Sequence, residues 1–280
     1  MNELKEKANQ LRADVLKMVT NANSGHPGGA LGMADTWAVL HYEFINDKPD
    51  NPEWEDRDRF ILSNGHTCPL LYAVLADKGY FPKEELDNFR KLGALLQGHP
   101  STARGTPGVE FSSGSLGHGL SFGAGVALSG RLDDQDYKTY VSISDAECQE
   151  GQTWEAAAVA RDKKLGNLCA ILDYNDSQID GNVSDIMDVA PLVEKWESFG
   201  WRVIEIDGHS YDQIEDAFRA FREKSSRRGR PTVIISNNIL GKGVSFMEGD
   251  YKWHHGVLSA DQMDQALEEL GVEGEWISSK

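Results

Sequence analysis

The sequence predicts an α/β fold, a doubly wound, mainly parallel sheet with helices on both faces. Three observations lead there. Apolar, β-branched runs at 138–143, 168–172, 201–206 and 231–236 alternate with helical patterns at 152–165, 189–199 and 211–227. Within this series Tyr140-Val141-Ser142-Ile143 reads as a strand buried in the interior. Finally, Asp145 stands just past that strand and Asn175 just past the next, so a parallel sheet brings both to its carboxyl edge, where open α/β folds bind ligands.

The remaining elements follow in order. Leu4, Ala8, Leu11, Val15, Met18 and Ala22 recur at spacings of four and three, the apolar stripe of a helix over 3–22. Ser24-Gly25-His26-Pro27-Gly28-Gly29 breaks it, and a second helical pattern covers 30–45. A short strand at 59–62 runs into Ser63-Asn64-Gly65-His66, and helices are expected at 68–78 and 83–92. The Gly-, Pro- and Ser-rich passage from Gly98 to Gly119 has little periodicity, which marks a functional or disordered loop. A helix then runs to Leu132, and after Leu240 the pattern loosens into a short helix at 259–270. Without a repeat or a low-complexity linker, residues 1–280 read as one domain.

Composition narrows the function. The 280 residues are 40% hydrophobic and carry a formal charge of −17 with a pI near 4.8. That acidity opposes binding to nucleic acid or to anionic membrane surfaces. No stretch approaches the roughly 18 apolar residues of a membrane span, and the N-terminus lacks the apolar core of a signal peptide. Cys68, Cys148 and Cys169 are odd in number and widely spaced, pointing to buried thiols in a reducing, cytoplasmic setting.

The chemistry-bearing residues fall in loops. Asp145, the Asn175 side-chain carbonyl and a backbone carbonyl just beyond it would give a hard cation such as Mg²⁺ three oxygens, leaving room for phosphate oxygens. The plainer alternative is a helix cap at Asp145 and a turn at Asn175. An EF-hand starting at Asp173 is excluded, because its sixth position is Gln178 and its twelfth Ser184. Gly-His occurs at 25–26, 65–66, 98–99, 117–118 and 208–209, so five of the eight histidines follow glycine, where 28 glycines in 280 residues give roughly one by chance. Glycine lets a loop turn sharply and aim a side chain into a cleft, and histidine exchanges protons near neutral pH. A lone loop histidine is ordinarily a turn residue, as His209 is read here after its strand. Zinc spacings are absent, and Ser113-Gly114-Ser115-Leu116-Gly117 lacks the strand that a hydrolase elbow requires.

These segments resemble the transketolase family. Ser144-Asp145-Ala146 stands where thiamine-diphosphate enzymes have Gly-Asp-Gly, and Asn175 is the later Asn of the same motif. Gln149-Glu150-Gly151 with Trp154-Glu155-Ala156, and Ile179-Asp180-Gly181, are similar to transketolase more narrowly. The resemblance implies that Asp145, Asn175 and the Ser177 carbonyl hold Mg²⁺, or Ca²⁺ or Mn²⁺ in its place, against the diphosphate. It implies that His26, His66 and His99 contact substrate hydroxyls and cofactor and relay protons. Gly114 and Leu116 belong to the Gly-rich loop that packs on the thiazolium ring, with Ile179 on the ring's other side. Ala146, Glu150 and His118 join the cofactor-binding set, although many relatives carry Gln at the position of His118. Lys242 is read as a diphosphate neighbour rather than a Schiff-base lysine, since glycines flank it. Relatives read Trp-His-Gly where this chain has Trp253-His254-His255-Gly256, so either His254 or His255 meets the cofactor.

The resemblance covers the diphosphate-binding domain and not the pyrimidine-binding or C-terminal domains, where the family keeps the Glu that activates the cofactor. It therefore implies the N-terminal subunit of a split transketolase, completed by a C-terminal subunit, with two copies of each. The implied reaction moves a two-carbon ketol unit from a ketose phosphate to an aldose phosphate through thiamine diphosphate. The alternatives are a 1-deoxy-xylulose-phosphate synthase-like protein, the α subunit of a 2-oxo acid dehydrogenase, or a non-catalytic regulatory homologue.

Overall fold

Four apolar runs and the short 59–62 segment pair side by side because each exposes its side chains to helices above and below. In the computed structural model, which describes residues 2–272, the strands are β1 (Arg59–Leu62), β2 (Thr139–Ser144), β3 (Leu168–Tyr174), β6 (Arg202–Asp207) and β7 (Thr232–Asn237). They form one sheet in the order β1-β2-β3-β7-β6, and every pairing is parallel. The register sets Leu62 beside Ser142, Ser144 beside Asp173 and Tyr174 beside Asn237, so the carboxyl ends of β1, β2, β3 and β7 share one edge.

Period-2 alternation divides the core in two. Tyr140, Cys169, Ile171 and Ile234 face helices α1 (Asn2–Asn21), α2 (Pro27–Val39), α3 (Cys68–Lys78), α8 (Tyr211–Lys224) and α9 (Ala260–Leu270). Val141, Ile143, Ala170, Leu172 and Ile235 face α4 (His118–Leu132), α5 (Gly151–Asp162) and α7 (Leu192–Ser198). Helices thus cover both faces, as the sequence predicts.

The boundaries that differ do so for local reasons. The helix expected at 83–92 is a 3-10 turn, Lys83–Asn88, with Leu86 its one buried residue, too thin an apolar face to extend it. The helix expected from 189 starts after Pro191, which cannot donate within a helix, and a separate single turn α6 (Val183–Ile186) precedes it. Between β3 and α6 lies an unpredicted hairpin, β4 (Ser177–Gln178) with β5 (Gly181–Asn182), each strand only two residues long. The 30–45 helix begins earlier, at Pro27, and ends in a π-turn, Leu40–Phe44.

Candidate active site

The floor of the site is a pair of carboxylates at neighbouring strand ends. Asp145 is fully buried; its Oδ1 accepts from its neighbour's Ala146 N–H at 2.8 Å and its Oδ2 from Asp176 N–H at 2.7 Å. Burial, reinforced by the charge of Asp173, pushes the Asp145 carboxyl up to about 8. Asp173 accepts from the Asn175 amide at 2.8 Å and the Asn238 amide at 2.7 Å, and burial pushes it up to about 7. No ion pair reaches either carboxylate among the described residues. The Asn175 carbonyl accepts from Ser177 N–H at 2.9 Å, which uses one of its two lone pairs. Ala146, where the family motif has glycine, lies in a 3-10 turn (Ala146–Gln149) and has no positive φ, so a Cβ is tolerated there.

The walls are histidines from four separate loops. His26 lies between α1 and α2, His66 in the 3-10 turn after β1, His99 in the long loop, and His254 in the 3-10 turn Tyr251–His254. Ring centroids lie 5.3 Å apart for His26 and His66, 6.2 Å for His26 and His99, 5.6 Å for His26 and His254, and 5.0 Å for His66 and His254. The late segment reaches this cluster by crossing bare backbone: a Cβ at Gly28 would sit 2.6 Å from the Trp253 carbonyl oxygen. Gly241 N–H also donates to Gly28 O at 2.9 Å, and Gly256 N–H to Gly25 O at 3.2 Å. Arg90 joins two histidine loops, donating to Ser24 Oγ at 2.6 Å and Gly98 O at 3.4 Å. Burial first, then the neighbouring rings, lowers His26 to about 3 and His254 to about 4, and lowers His66 well below its ordinary value. Around neutral pH these imidazoles are uncharged, each able to donate at one nitrogen and accept at the other.

Between walls and floor is a cavity of about 280 Å³. Of the residues singled out from sequence, His26, His66, His99, His254, Gly114, Leu116, Ala146, Glu150, Asn175, Ser177 and Ile179 line it. Asp145 lies buried against this floor. Three stand apart. His118 is exposed in a neighbouring groove with Phe111 and Phe122; Lys242 pairs with Glu248 at 3.3 Å; and His255 is exposed, its ring 4.8 Å from that of His26. Sequence reasoning missed Ser144, Gln149, Asp173 and Gln178, which also line the cavity. Asp173 carried a signal, an acidic residue closing a strand two positions before Asn175. His209 lies in the turn after β6, as its reading has it, and there it also links two distant segments. Its Nδ1 meets Asp35 at 2.8 Å, and its Nε2 accepts from Ile239 N–H at 2.9 Å, so the proton sits on Nδ1.

The bonding that is left open fits a diphosphate cofactor. His26 Nδ1, His254 Nδ1, Ser144 Oγ and Ser177 Oγ are buried without a partner among the described residues, and all four belong to cavity-lining residues. Leu116 and Ile179 supply apolar surface for a ring. The donors near Asp145 are oxygens, which suit a hard cation; no group of three or more His, Cys, Asp or Glu forms a metal site among the described residues.

Fold and site together define a cofactor-binding α/β domain of the kind that seats its ligand across strand ends. The profile described as "Transketolase, thiamine diphosphate binding domain" matches residues 4–277, and the chain belongs to this family. It is 40% identical over 268 residues to a subunit of the apulose-4-phosphate transketolase of Phocaeicola vulgatus, covering 96% of this chain and 93% of that one. It is 41% identical over 273 residues to the 6-deoxy-6-sulfo-D-fructose transketolase subunit of a Clostridium species, covering 97% and 98%. The crystal structure of transketolase from Campylobacter jejuni superposes with a TM-score of 0.92 at 35% identity, covering 99% of this chain and 44% of that one. The chain therefore spans less than half of the solved transketolases it matches. No helix among the described residues is long and apolar enough to cross a membrane.

Proposed function

We propose that this chain is the N-terminal subunit of a two-polypeptide transketolase. Its reaction would move a two-carbon ketol unit from a ketose phosphate, or a comparable anionic ketose, to an aldose phosphate. The observation that carries the reading is the set of neutral histidines facing two uncompensated carboxylates across one cavity. Asp145, Asn175 and the Ser177 carbonyl would hold Mg²⁺, whose charge offsets the Asp145 carboxylate and the diphosphate together. Thiamine diphosphate, when bound, supplies the nucleophilic carbon and electron sink of the reaction. Leu116 and Ile179 orient its ring, and His66 and His254 donate toward its polar groups. His26 and His99, with His255 at the mouth, bind sugar hydroxyls and pass protons at their ring nitrogens.

A partner is part of the proposal. Residues 1–280 would form the diphosphate-binding domain alone, with pyrimidine-type and C-terminal domains on a second polypeptide and two copies of each. Two similar chains of nearly the same length are named as subunits. Apolar side chains left open to solvent also support it: Ile179 is 61% exposed, Met187 56%, Ile186 47% and Phe122 40%. Both of these relatives are named for sugars bearing an anionic group. With a formal charge of −17, this chain leaves that group to basic residues of the partner. Three unpaired, buried cysteines agree with a reducing cytoplasm.

The test is titration of the complex co-expressed with its partner. Thiamine diphosphate should bind only with Mg²⁺ present, and the complex should transfer carbon from ketose phosphates to ribose 5-phosphate rather than decarboxylate pyruvate. Cofactor binding without ketol transfer would favour the synthase or dehydrogenase alternatives, and no binding would favour a regulatory protein.

A further inference from the structure

One buried carboxylate near the cavity has no part in the site described above. Glu147 has 0% exposure and, among the described residues, no cationic partner, yet it accepts three hydrogen bonds. Oε1 accepts from Gly117 N–H at 2.7 Å and from the Ser63 hydroxyl, and Oε2 accepts from Ser144 N–H at 3.0 Å. Ser63 Oγ in turn accepts from Gly119 N–H at 3.0 Å. The three loops so joined follow β1, precede α4 and close β2, and the last two contribute Leu116 and Ser144 to the cavity.

The arrangement solves a capping problem. Gly117 is the N-cap of α4, has φ +83°, and carries no side chain to satisfy the orphan N–H groups of the first turn. A carboxyl group 30 residues away supplies the missing acceptor at the N-terminal end of a 15-residue helix. On the other side of the same peptide, Gln152 Nε2 donates to Leu116 O at 2.7 Å. The Leu116–Gly117 peptide is held at its carbonyl and at its N–H. A Cβ at Gly117 would lie 2.9 Å from Glu150 Cβ, so the peptide has little room to move aside.

We propose that Glu147, directly at Gly117 and through Ser63 at Gly119, is a positioning residue that sets the pose of Leu116 by capping α4. The inference rests on the cofactor reading for its consequence, but the clamp itself does not depend on it. Glu147→Ala removes both acceptor oxygens at once, so the N–H groups of Gly117 and Ser144 and the Ser63 hydroxyl all lose their acceptor. Amide hydrogen exchange on the full chain without cofactor should show Gly117, Gly119 and Ser144 exchanging at least tenfold faster, with the rest of β2 and all of β3 unchanged. In the co-expressed complex, the dissociation constant for thiamine diphosphate with Mg²⁺ should rise at least tenfold. Ser63→Ala, a milder change, should release Gly119 and leave Gly117 protected. Unchanged exchange at both glycines, or faster exchange spread evenly over the whole sheet, overturns the clamp. Faster exchange at the glycines with an unchanged dissociation constant overturns its link to Leu116 and cofactor binding. If the wild-type complex binds no thiamine diphosphate, the function reading fails while the exchange experiment still decides the clamp.

Discussion

Two buried polar clusters lie along α2 and the loop that leads into it, and they are built on opposite rules. Around Asp35 every group is partnered: Arg12 donates twice, at 3.1 and 2.6 Å, His209 at 2.8 Å and Tyr211 at 2.6 Å. Burial alone would raise the Asp35 carboxyl, but these donors hold it well below the usual carboxylate range. Around Asp145 and His26, by contrast, carboxylates lack cations and ring nitrogens lack partners. The first cluster ties α1, α2 and α8 to the loop at Ile239. The second is incomplete by itself, and its incompleteness is what marks it as a ligand site.

Changes that break this contrast should be graded. The largest effect belongs to Asp35→Ala, which strands a buried guanidinium. Stability should fall by about 3–5 kcal/mol, read as a large drop in the denaturant midpoint. Asp145→Asn should tell on binding instead. The free chain should lose far less stability than with Asp35→Ala, because relief of a carboxyl pushed up to about 8 by burial offsets the NH₂ that then faces the Ala146 or Asp176 N–H. Mg²⁺-dependent thiamine diphosphate binding, read by calorimetry, should weaken by about 100-fold or more. Equal destabilisation by the two substitutions would erase the distinction.

Two smaller effects sharpen it. Ser144→Ala removes a buried, unpartnered hydroxyl, so it should cost the free chain little. If that hydroxyl meets a phosphate oxygen, cofactor affinity falls by about tenfold or more, measurable in the same titration. The pH dependence of His26 has a definite sign. Its folded value, lowered to about 3, lies below the unfolded value of 6.5, so between those limits the unfolded chain holds the extra proton. Its contribution to stability is therefore intact above pH 6.5 and lost as pH falls toward 3. Measured against His26→Asn, which cannot titrate, the wild-type chain should lose relative stability steadily from pH 6.5 to 4. A flat difference would mean that the ring is already solvated.

Much of this was legible because the signals are local. The strand at Arg59–Leu62 and the helix at Cys68–Lys78 appear at the boundaries their apolar patterns predict. The Gly-His loops announce aimed side chains, and three of those five histidines line the cavity. What local pattern could not distinguish was the use to which similar dipeptides are put. Gly208-His209 has the same form as Gly25-His26, yet one is a satisfied structural link and the other a half-bonded wall. Glu147 carried no signal, since its three partners come from three different loops.

By itself, then, the sequence determined the order of strands and helices and the kinds of side chain delivered to their ends. Periodicity and turn chemistry act over a few residues and need no distant partner. Only the tertiary structure decided which polar groups find partners and which remain open. Satisfying a buried donor or acceptor depends on atoms far along the chain arriving within about 3 Å of it, and that distance is a property of the folded whole.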